Sequence, residues 1–384
     1  MKRILISAGE ASSDVHAANL VRAFSKIYKK DFEFSGLGGE NLISTGKFVP
    51  EFYNREFAVS GLLELGGRLP FIYSALRHFK RSADLGAYNA AVLLDYPDFN
   101  IPLAKYLSKK GIPVIYYISP QVWVWRSSRA YKLNDYSSDI LSIFPFEKDF
   151  YAKMGIEVKY VGHPLLDEVD SYLERRDLSK LKKEFNIKED QKIVAVLPGS
   201  RHGEIKYILP VLEEVCAIMK KELKEKVRFL LPVAPTLNKN DIVFSKAESL
   251  ANIEVVEGAR SYDVYSLSDC AILASGTATV EAGLLGVPMS IVYKVSPISA
   301  FLFKNFIRYK NPIGMINLLL GKGTATEFFQ EQANPQEIAK DAMRFLNNKV
   351  EADKKIQELN KLRSILSTGK SASSNVADVL IKYL

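Results

Sequence analysis

A short apolar run that leads through a small polar turn into a helical segment, residues 270–285, is the feature that most constrains the fold of this chain. Residues 270–274 are all apolar, which is typical of a buried strand. Ser275, Gly276 and Thr277 then turn the chain, and the next residues have the composition of a helix entered through a hydroxyl cap. Such a turn directs backbone N–H groups and the positive end of the helix dipole at one point. The segment therefore predicts an anion site. The alternative is an ordinary strand-to-helix crossover, because neither the Rossmann nor the P-loop glycine pattern is present.

The same order of strand, turn and helix recurs along the chain. Largely apolar runs at 3–8, 90–94 and 192–197 each lead into a turn that contains Gly, Asp or Ser. Strands that alternate with helices predict an α/β fold with parallel sheets, in which ligands bind beyond the carboxyl ends of the strands. Charged helical residues at 166–190 suit a linker between two consecutive units of this kind.

Polar side chains follow several of these strands. The predicted loop after the first strand, ahead of a helix expected from residue 16, contains Glu10, Ser12 and Asp14. A later strand ends in Asp95 and Asp98, with Pro97 fixing the turn between them; the pattern suits proton transfer, although Asp also caps helices. In the second unit, Ser200 and Arg201 follow a Pro-Gly turn, where a guanidinium could bind phosphate through two hydrogen bonds.

Composition excludes several classes of protein. The chain has 384 residues, enough for two or three domains, and its 47% hydrophobic and 25% charged residues are typical of a soluble globular protein. Two cysteines in apolar surroundings favour the cytosol and give no support for a disulfide framework or a cysteine metal site. The net charge of +8 suits anionic substrates or an anionic membrane surface better than nucleic acid, because no nucleic-acid motif is present.

Residues 57–80 have a composition of their own. Large apolar side chains, Leu62, Leu65, Leu69 and Phe71 among them, stand beside glycines and a proline, and basic residues follow from Arg77. Apolar groups beside basic ones favour an element that dips into a membrane interface. The alternative is a helix packed on the sheet.

The two halves divide the chemistry between them. Hydroxyls, an arginine and a helix start in the second half suit a diphosphate, and the first half offers carboxylates as candidate bases. Transfer of a sugar from a nucleotide-sugar needs such a division. Seven segments contain the motifs on which a family resemblance rests, in this order: residues 7–14, 95–100, 117–125, 144–147, 160–164, 197–204 and 274–281. Residues 317–319 and 327–330 extend the resemblance.

On these motifs the chain resembles the lipid-A-disaccharide synthase family, glycosyltransferase family 19, over residues 4–330. One departure is visible: Ser13 stands where the family usually has Gly, and it would carry strain if that position needs a positive φ. The resemblance implies a GT-B fold, with two Rossmann-like parallel-sheet domains facing each other across a cleft. The implied division is 1–165 for the acceptor and membrane, 166–340 for the UDP-sugar, and 341–384 as helices that pack back on an N-terminal domain.

The resemblance also implies the reaction. UDP-2,3-diacylglucosamine donates its sugar, with inversion, to 2,3-diacylglucosamine 1-phosphate (lipid X), giving the β-1,6-linked disaccharide 1-phosphate and UDP. The protein would act at the cytoplasmic face of the inner membrane, as a peripheral protein, without a cofactor or an obligatory metal, and a homodimer stays open. The alternatives are a UDP-N-acetylglucosamine 2-epimerase-like enzyme and a non-catalytic binding protein.

Residue roles follow from the same resemblance. Asp98 is the expected base for the acceptor hydroxyl. Arg201 and the helix start at Thr277 would stabilise the diphosphate, and Glu281 would bind the ribose. The other residues expected to bind substrate or UDP are Glu10, Ser12, Asp14, Ser200, Ser275, Gly276, Asn317, Glu327 and Gln330.

Overall fold

The computed structural model of the chain describes residues 1–29, 32–57, 62–120, 122, 128–234, 237–238, 244, 247, 252–258, 260–296, 312, 314–321 and 323–384; for 62–68 it describes the backbone only. The chain forms two compact units. The first unit comprises Met1–Asp167 together with Leu366–Leu384, and the second comprises Glu168–Ile365.

The first unit is built on a parallel sheet. Its described strands are β1 (Lys2–Ala8), β2 (Phe32–Gly38), β3 (Phe48–Tyr53), β4 (Ala90–Leu94), β5 (Val114–Tyr117), β6 (Asp139–Ser142) and β7 (Lys159–Tyr160). They lie in the order β3-β2-β1-β4-β5-β6-β7. Because the order reverses between β1 and β4, the loops after these two strands open the crevice in which such sheets bind ligands.

Helices connect these strands. They are α1 (Ala11–Ile27), α2 (Glu40–Ile43), α3 (Leu62–Asp84), α4 (Pro97–Lys109), α5 (Ser128–Tyr136) and α6 (Pro145–Ala152). Helix α7 (Pro164–Arg175) follows β7, and its residues are divided between the two units. Short 3-10 turns lie at Asn54–Glu56 and, near the end of the chain, at Ile381–Tyr383. Strands β4, β5 and β6 are buried along their whole length, as expected of parallel strands that are covered on both faces.

The second unit repeats the architecture. Its described strands are β8 (Lys192–Leu197), β9 (Val227–Pro232), β10 (Ile253–Val256), β11 (Cys270–Ala274), β12 (Met289–Tyr293) and β13 (Thr326–Phe329), in the order β10-β9-β8-β11-β12-β13. Its described helices are α8 (Leu178–Glu184), α9 (His202–Leu223), α10 (Ser261–Leu267), α11 (Thr277–Leu284), α12 (Met315–Leu320), α13 (Pro335–Asn347) and α14 (Lys349–Leu366), with 3-10 turns at Lys224–Lys226 and Gln330–Gln332. The reversal of strand order here lies between β8 and β11.

The last 50 residues are divided between the two units. Helix α13 packs on α9, so it belongs to the second unit. Only the final helix, α15 (Ala372–Leu380), packs on α1 of the first unit, where Tyr28 donates a hydrogen bond to Asp378 at 3.0 Å. The expected boundary at residue 341 therefore falls inside α13, and most of 341–384 lies with the second unit.

The first helix begins earlier than the sequence predicted. Residues 11–14, expected in a loop, form the first turn of α1. Ser13 is buried in this turn and is absent from the residues with positive φ, so the strain expected from a Ser in place of Gly does not arise.

The described side chains of helix α3 differ in exposure and packing, which bears on whether residues 57–80 contact a membrane or pack on the sheet. Phe71 is half-buried and packs edge-to-face against Phe52 and Phe57, with ring centroids 5.6 and 5.3 Å apart, a contact that favours the alternative of a packed helix at this residue. Leu69 is 54% and Tyr73 67% exposed. The side chains of Leu62 and Leu65 lie outside the described residues. Among the described helices, none has the length and apolar character needed to cross a bilayer.

The pairing of β1 with β2 predicts a sharp difference between two glycines. Gly36 has a φ of +135°, and a Cβ there would lie 2.2 Å from the carbonyl oxygen of Ile6 on β1. Gly46 has a φ of +65°, but no described atom outside its neighbours lies within 4 Å of its Cβ position. We expect Gly46→Ala to cost about 1 kcal/mol, the penalty of the left-handed backbone alone, and Gly36→Ala more than about 3 kcal/mol. Urea denaturation of the two variants checks this; equal losses would contradict it.

Candidate active site

One cluster of candidate site residues lies in the first unit, at the switch point between β1 and β4. The loops after these strands touch: a Cβ at Gly9 would lie only 2.8 Å from the ring of Tyr96. Burial, followed by the negative charges of Glu10 and Asp98, raises the pKa of Tyr96. Both carboxylates therefore lie close enough to Tyr96 to affect its pKa. Glu10 and Asp98, which follow different strands, belong to one cluster in this unit.

Asp98 lies in the first turn of α4 and forms an ion pair with Arg129 of α5. The Asp98 side chain is 77% exposed, whereas that of Arg129 is 16% exposed. The guanidinium therefore approaches from the protein side and leaves the carboxylate accessible from solvent. An accessible, oriented carboxylate has the geometry that a general base needs.

The backbone that precedes Asp98 is strained. Asp95 and Tyr96 have φ values of +45° and +42°, and on the neighbouring strand end Ile118 has +65°. A left-handed conformation costs a residue with a side chain about 1–2 kcal/mol. Such strain persists only where surrounding contacts enforce it, and it is concentrated at functional sites. Here it marks the ends of two adjacent strands, β4 and β5.

Two buried side chains hold this turn in place through hydrogen bonds to its backbone carbonyl groups. The Asn100 amide is fully buried and donates to the carbonyls of Leu94 at 3.0 Å and Asp95 at 2.9 Å. The Tyr116 hydroxyl donates to the same Asp95 carbonyl at 2.6 Å. The Asn100 amide oxygen accepts a 2.6 Å hydrogen bond from Ser7 of β1, which links the turn to the neighbouring strand.

The other residues expected after β1 differ in exposure. Ser12 is exposed and Glu10 is half-buried, so both can meet a ligand. Asp14 is 1% exposed, and its carboxylate accepts backbone hydrogen bonds from Gly39 at 2.6 Å and Asn41 at 2.9 Å, with further bonds from the Asn41 amide and Leu42 N–H. These bonds cap the start of α2, so Asp14 supports the loop rather than presenting its oxygens to substrate.

A second buried carboxyl, Glu147, connects β5 to α6. It accepts from the Ser119 hydroxyl at 2.8 Å and from the N–H groups of Ile143 and Phe144 at 3.1 and 3.0 Å. Burial raises the pKa of Glu147 to about 7, although these hydrogen bonds oppose the shift. Ser119 directly follows the strained Ile118, so Glu147 anchors the second left-handed strand end.

Another cluster of candidate site residues lies in the second unit, at the switch point between β8 and β11. The loop after β8 enters α9 with a carboxylate of its own at the helix start: Glu204 accepts from the N–H groups of Ser200 at 2.9 Å and Arg201 at 3.3 Å. Gly199, with a φ of +119°, makes room for this, because a Cβ there would lie 2.3 Å from Glu204 Oε2. The Arg201 side chain is 72% exposed and its Nη1 lies 3.8 Å from Glu204 Oε1, so the guanidinium remains accessible.

The start of α11 is different. Its N-cap is Gly276, without a side-chain hydrogen bond, and its first turn contains no acidic residue. Gly276 and Thr277 are exposed. The expected hydroxyl cap was wrong, since Thr279 instead donates back to the Gly276 carbonyl at 2.9 Å. Because no carboxylate caps it, this helix start suits an external anion better than that of α9.

Glu281 lies one turn into α11 and is half-buried. Burial, and then the charge of Glu168, raises its pKa to about 7. A carboxyl of this kind is partly protonated near neutral pH and can both donate to and accept from a hydroxyl. The geometry is compatible with the expected contact to a ribose, which stays a prediction.

The three remaining residues lie around β13. Asn317 is 3% exposed, donates to the Ala325 carbonyl at 2.8 Å and to Glu327 Oε1 at 2.6 Å, and accepts from Ala325 N–H at 2.8 Å. These bonds tie α12 to β13, so the buried Asn317 supports this region from within. Glu327 is half-buried, and its contact with substrate stays a prediction. Gln330 differs: its φ is +50°, and its buried Nε2 has no hydrogen-bond partner among the residues that the structure describes.

Comparisons with known proteins agree on one family. The model of the lipid-A-disaccharide synthetase family matches residues 4–381. A lipid-A-disaccharide synthase of Syntrophus aciditrophicus is 39% identical over 368 residues, covering 95% of this chain and 94% of the relative. That of Geobacter metallireducens is 36% identical, covering 100% and 97%. The chain belongs to the lipid-A-disaccharide synthase family.

Solved structures agree on the fold of this family member. A UDP-GlcNAc 2-epimerase from Neisseria meningitidis bound to UDP-GlcNAc has a TM-score of 0.64 at 13% identity, covering 100% of both chains. A transferase from Siraitia grosvenorii in complex with UDP has a TM-score of 0.62 at 11% identity, covering 100% of this chain and 99% of that one. The predicted α/β class and GT-B fold are confirmed.

Three residues that form hydrogen bonds or an ion pair in the candidate site of the first unit were not predicted from the sequence. Arg129, Tyr116 and Ser7 were not singled out, although Ser7 stood inside a quoted motif. The signal for Arg129 was its position after β5, the strand that lies beside β4. Once the strand order is known, a basic side chain that follows the strand next to a candidate base can be recognised as its neighbour.

The buried Glu147 predicts a pH dependence of stability. Its folded pKa of about 7 lies above the usual carboxyl value, so its favourable contribution is present below about pH 4.5 and is lost as the pH rises through 7. Glu147→Gln removes this loss. Between pH 4.5 and 8 the free energy of unfolding of the variant should therefore rise relative to the unsubstituted protein, by about 3 kcal/mol at most. Denaturant titrations at several pH values measure the difference, and parallel stability curves would contradict it.

Proposed function

We propose that this protein is an inverting glycosyltransferase that condenses UDP-2,3-diacylglucosamine with 2,3-diacylglucosamine 1-phosphate, giving the β-1,6-linked disaccharide 1-phosphate and UDP. The observation that carries the proposal is membership of the lipid-A-disaccharide synthase family across residues 4–381. The two half-sites supply the groups that this reaction requires.

On the acceptor side, Asp98 takes the proton of the 6-hydroxyl as that oxygen attacks the anomeric carbon. Its side chain is exposed on one side and paired with Arg129 on the other. In-line attack opposite the departing UDP inverts the configuration at that carbon. General-base catalysis contributes about 10²–10⁴-fold to such a step. Glu10 and Ser12 lie in the neighbouring loop, where they can bind acceptor hydroxyls.

On the donor side, negative charge develops on the diphosphate as the sugar leaves. The uncapped start of α11 at Ser275, Gly276 and Thr277 offers backbone N–H groups to it, and the exposed Arg201 offers a guanidinium. Ser200 contributes less through its backbone, since its N–H is bonded to Glu204. Glu281 would contact the nucleoside, as would Gln330, whose buried Nε2 has no hydrogen-bond partner within the described part of the chain.

The fold alone does not separate a transferase from an epimerase, since both occur among its structural neighbours. An assay with UDP-diacylglucosamine, with and without acceptor, does. Acceptor-dependent release of UDP is the expected result. Release or epimerisation without acceptor would indicate an epimerase, and binding without turnover a binding protein. Added EDTA tests the expectation that no metal is required.

Two substitutions should affect opposite halves of the reaction. Asp98→Asn keeps the shape but removes the base, so kcat should fall by about 10²–10⁴-fold while the Kd for UDP stays within about twofold. Arg201→Ala removes a charged hydrogen-bond donor, so the Kd for UDP should rise about tenfold or more. Calorimetry with UDP and the radiolabelled transfer assay measure the two effects. Near-normal turnover of Asp98→Asn would remove the base assignment, and unchanged UDP affinity of Arg201→Ala its phosphate role.

We further propose that α3 contacts the cytoplasmic face of the inner membrane, from which diacylated substrates must be drawn. Leu69 and Tyr73 are exposed apolar residues four positions apart, and Arg77 and Arg81 continue the same spacing as exposed cations. Residues at this spacing share a helix face. Anionic lipid attracts such cations by about 1 kcal/mol each.

Replacement of Leu69 and Tyr73 by Ser should therefore weaken binding to anionic phospholipid vesicles about tenfold or more, as expected for removing two buried apolar side chains from an interface. Val350, which is 80% exposed at the start of α14, provides the control substitution Val350→Ser. Vesicle sedimentation measures binding, and thermal unfolding should give the same midpoint for both variants. Equal vesicle binding of the two variants would contradict a role for α3 at the membrane.

A further inference from the structure

The turn between β4 and α4 contains two consecutive residues in the left-handed region, neither of which is glycine. Asp95 has a φ of +45° and Tyr96 a φ of +42°. Left to itself, this backbone would relax toward the right-handed or extended regions. Any relaxation rotates the first turn of α4, which carries Asp98.

Asn100 binds three successive carbonyl groups of this segment. Its side-chain amide donates to Leu94 at 3.0 Å and to Asp95 at 2.9 Å, and its backbone N–H donates to Tyr96 at 3.0 Å. The side chain is completely buried. One residue therefore fixes the path of the chain through both left-handed positions.

Neighbouring strands hold Asn100 and the turn in place. Ser7 on β1 donates to the Asn100 amide oxygen at 2.6 Å, which directs the amide NH₂ at the two carbonyls. Tyr116 on β5 donates to the Asp95 carbonyl at 2.6 Å, from the other side of the turn. The Asp95 carbonyl thus accepts from two buried-side donors on different elements.

We propose that Asn100 is a positioning residue for Asp98, acting through the Asp95–Tyr96 turn and assisted by Tyr116. It faces the core while Asp98, two residues earlier in the same helix, faces solvent. The inference rests on the proposed function, in which Asp98 is the base. A base must lie within hydrogen-bond reach of the acceptor hydroxyl, and a displacement of about 1 Å can lower turnover about 100-fold.

The test uses a series of substitutions in the full-length protein. Asn100→Asp keeps the shape and the acceptor for Ser7 but loses both side-chain donors to the turn. Tyr116→Phe removes one donor to the same carbonyl and leaves the ring in place. Ser290→Ala is the matched control, because it removes a hydrogen bond of the same length from a buried serine, the 2.6 Å bond to Asp341, which does not involve the turn or Asn100.

We expect Asn100→Asp to lower kcat about 100-fold, with both KM values and the Kd for UDP changed less than threefold. Tyr116→Phe should lower kcat about fivefold with the same split. Ser290→Ala should change kcat less than threefold even if its unfolding temperature falls as far as that of the other variants. Loss of activity that follows unfolding temperature across all three variants would overturn the proposal.

A double substitution separates positioning from a general defect. If Asn100 acts through Asp98, then Asp98→Asn combined with Asn100→Asp should be no slower than Asp98→Asn alone, within about twofold. Additive losses would overturn the inference and leave the base assignment intact. Near-normal turnover of Asp98→Asn alone would instead overturn the base assignment itself. Should Asn100→Asp fail to fold, Tyr116→Phe in the same double-mutant cycle decides the question.

Discussion

The candidate site of the first unit depends on one carbonyl oxygen, that of Asp95, and on the two donors that converge on it. Asn100 approaches along α4 and Tyr116 from β5, and together they hold a left-handed turn that the chain would otherwise abandon. Because the turn lies at the switch point of the sheet, the strain is placed beside the candidate base. Both donors belong to buried side chains, so their hydrogen bonds hold the first turn of α4 in a fixed position relative to the sheet.

A second constraint concerns helix starts, which attract anions wherever backbone N–H groups are left without partners. In this protein three such starts at the functional edges are filled by the chain's own carboxylates: Asp14 on α2, Glu147 on α6 and Glu204 on α9. The start of α11 has no such cap. The starts of α1 and α4 also lack a side-chain cap, but each has an aspartate in its first turn, whereas the first turn of α11 has no acidic residue. Of these helix starts, that of α11 is therefore the best suited to an external anion.

Much of this could be predicted from the chain itself, and what could not has a physical reason. The strand and the helix at 270–285 could be predicted because their pattern is local, and the anion site expected between them stays a prediction. The structural role of Asp14 could not be predicted, since its partners Gly39 and Asn41 are reached only after a strand and a turn. The same holds for Asn317, whose motif position suggested a ligand contact but whose bonds are all internal. A motif marks that a residue matters; burial and hydrogen bonding decide how.

The electrostatics of α11 complete the argument for its role. A carboxylate one turn from a bound diphosphate would repel it if fully charged. Glu281 occupies that position, but burial and the neighbouring Glu168 raise its pKa to about 7, so a good part of the population is neutral at physiological pH. Burial removes water from around the carboxylate and so disfavours its charged form. The repulsion between this carboxylate and an anion at the helix start is thereby reduced. A polar group that can bind sugar hydroxyls can therefore lie next to an anion site without cancelling it.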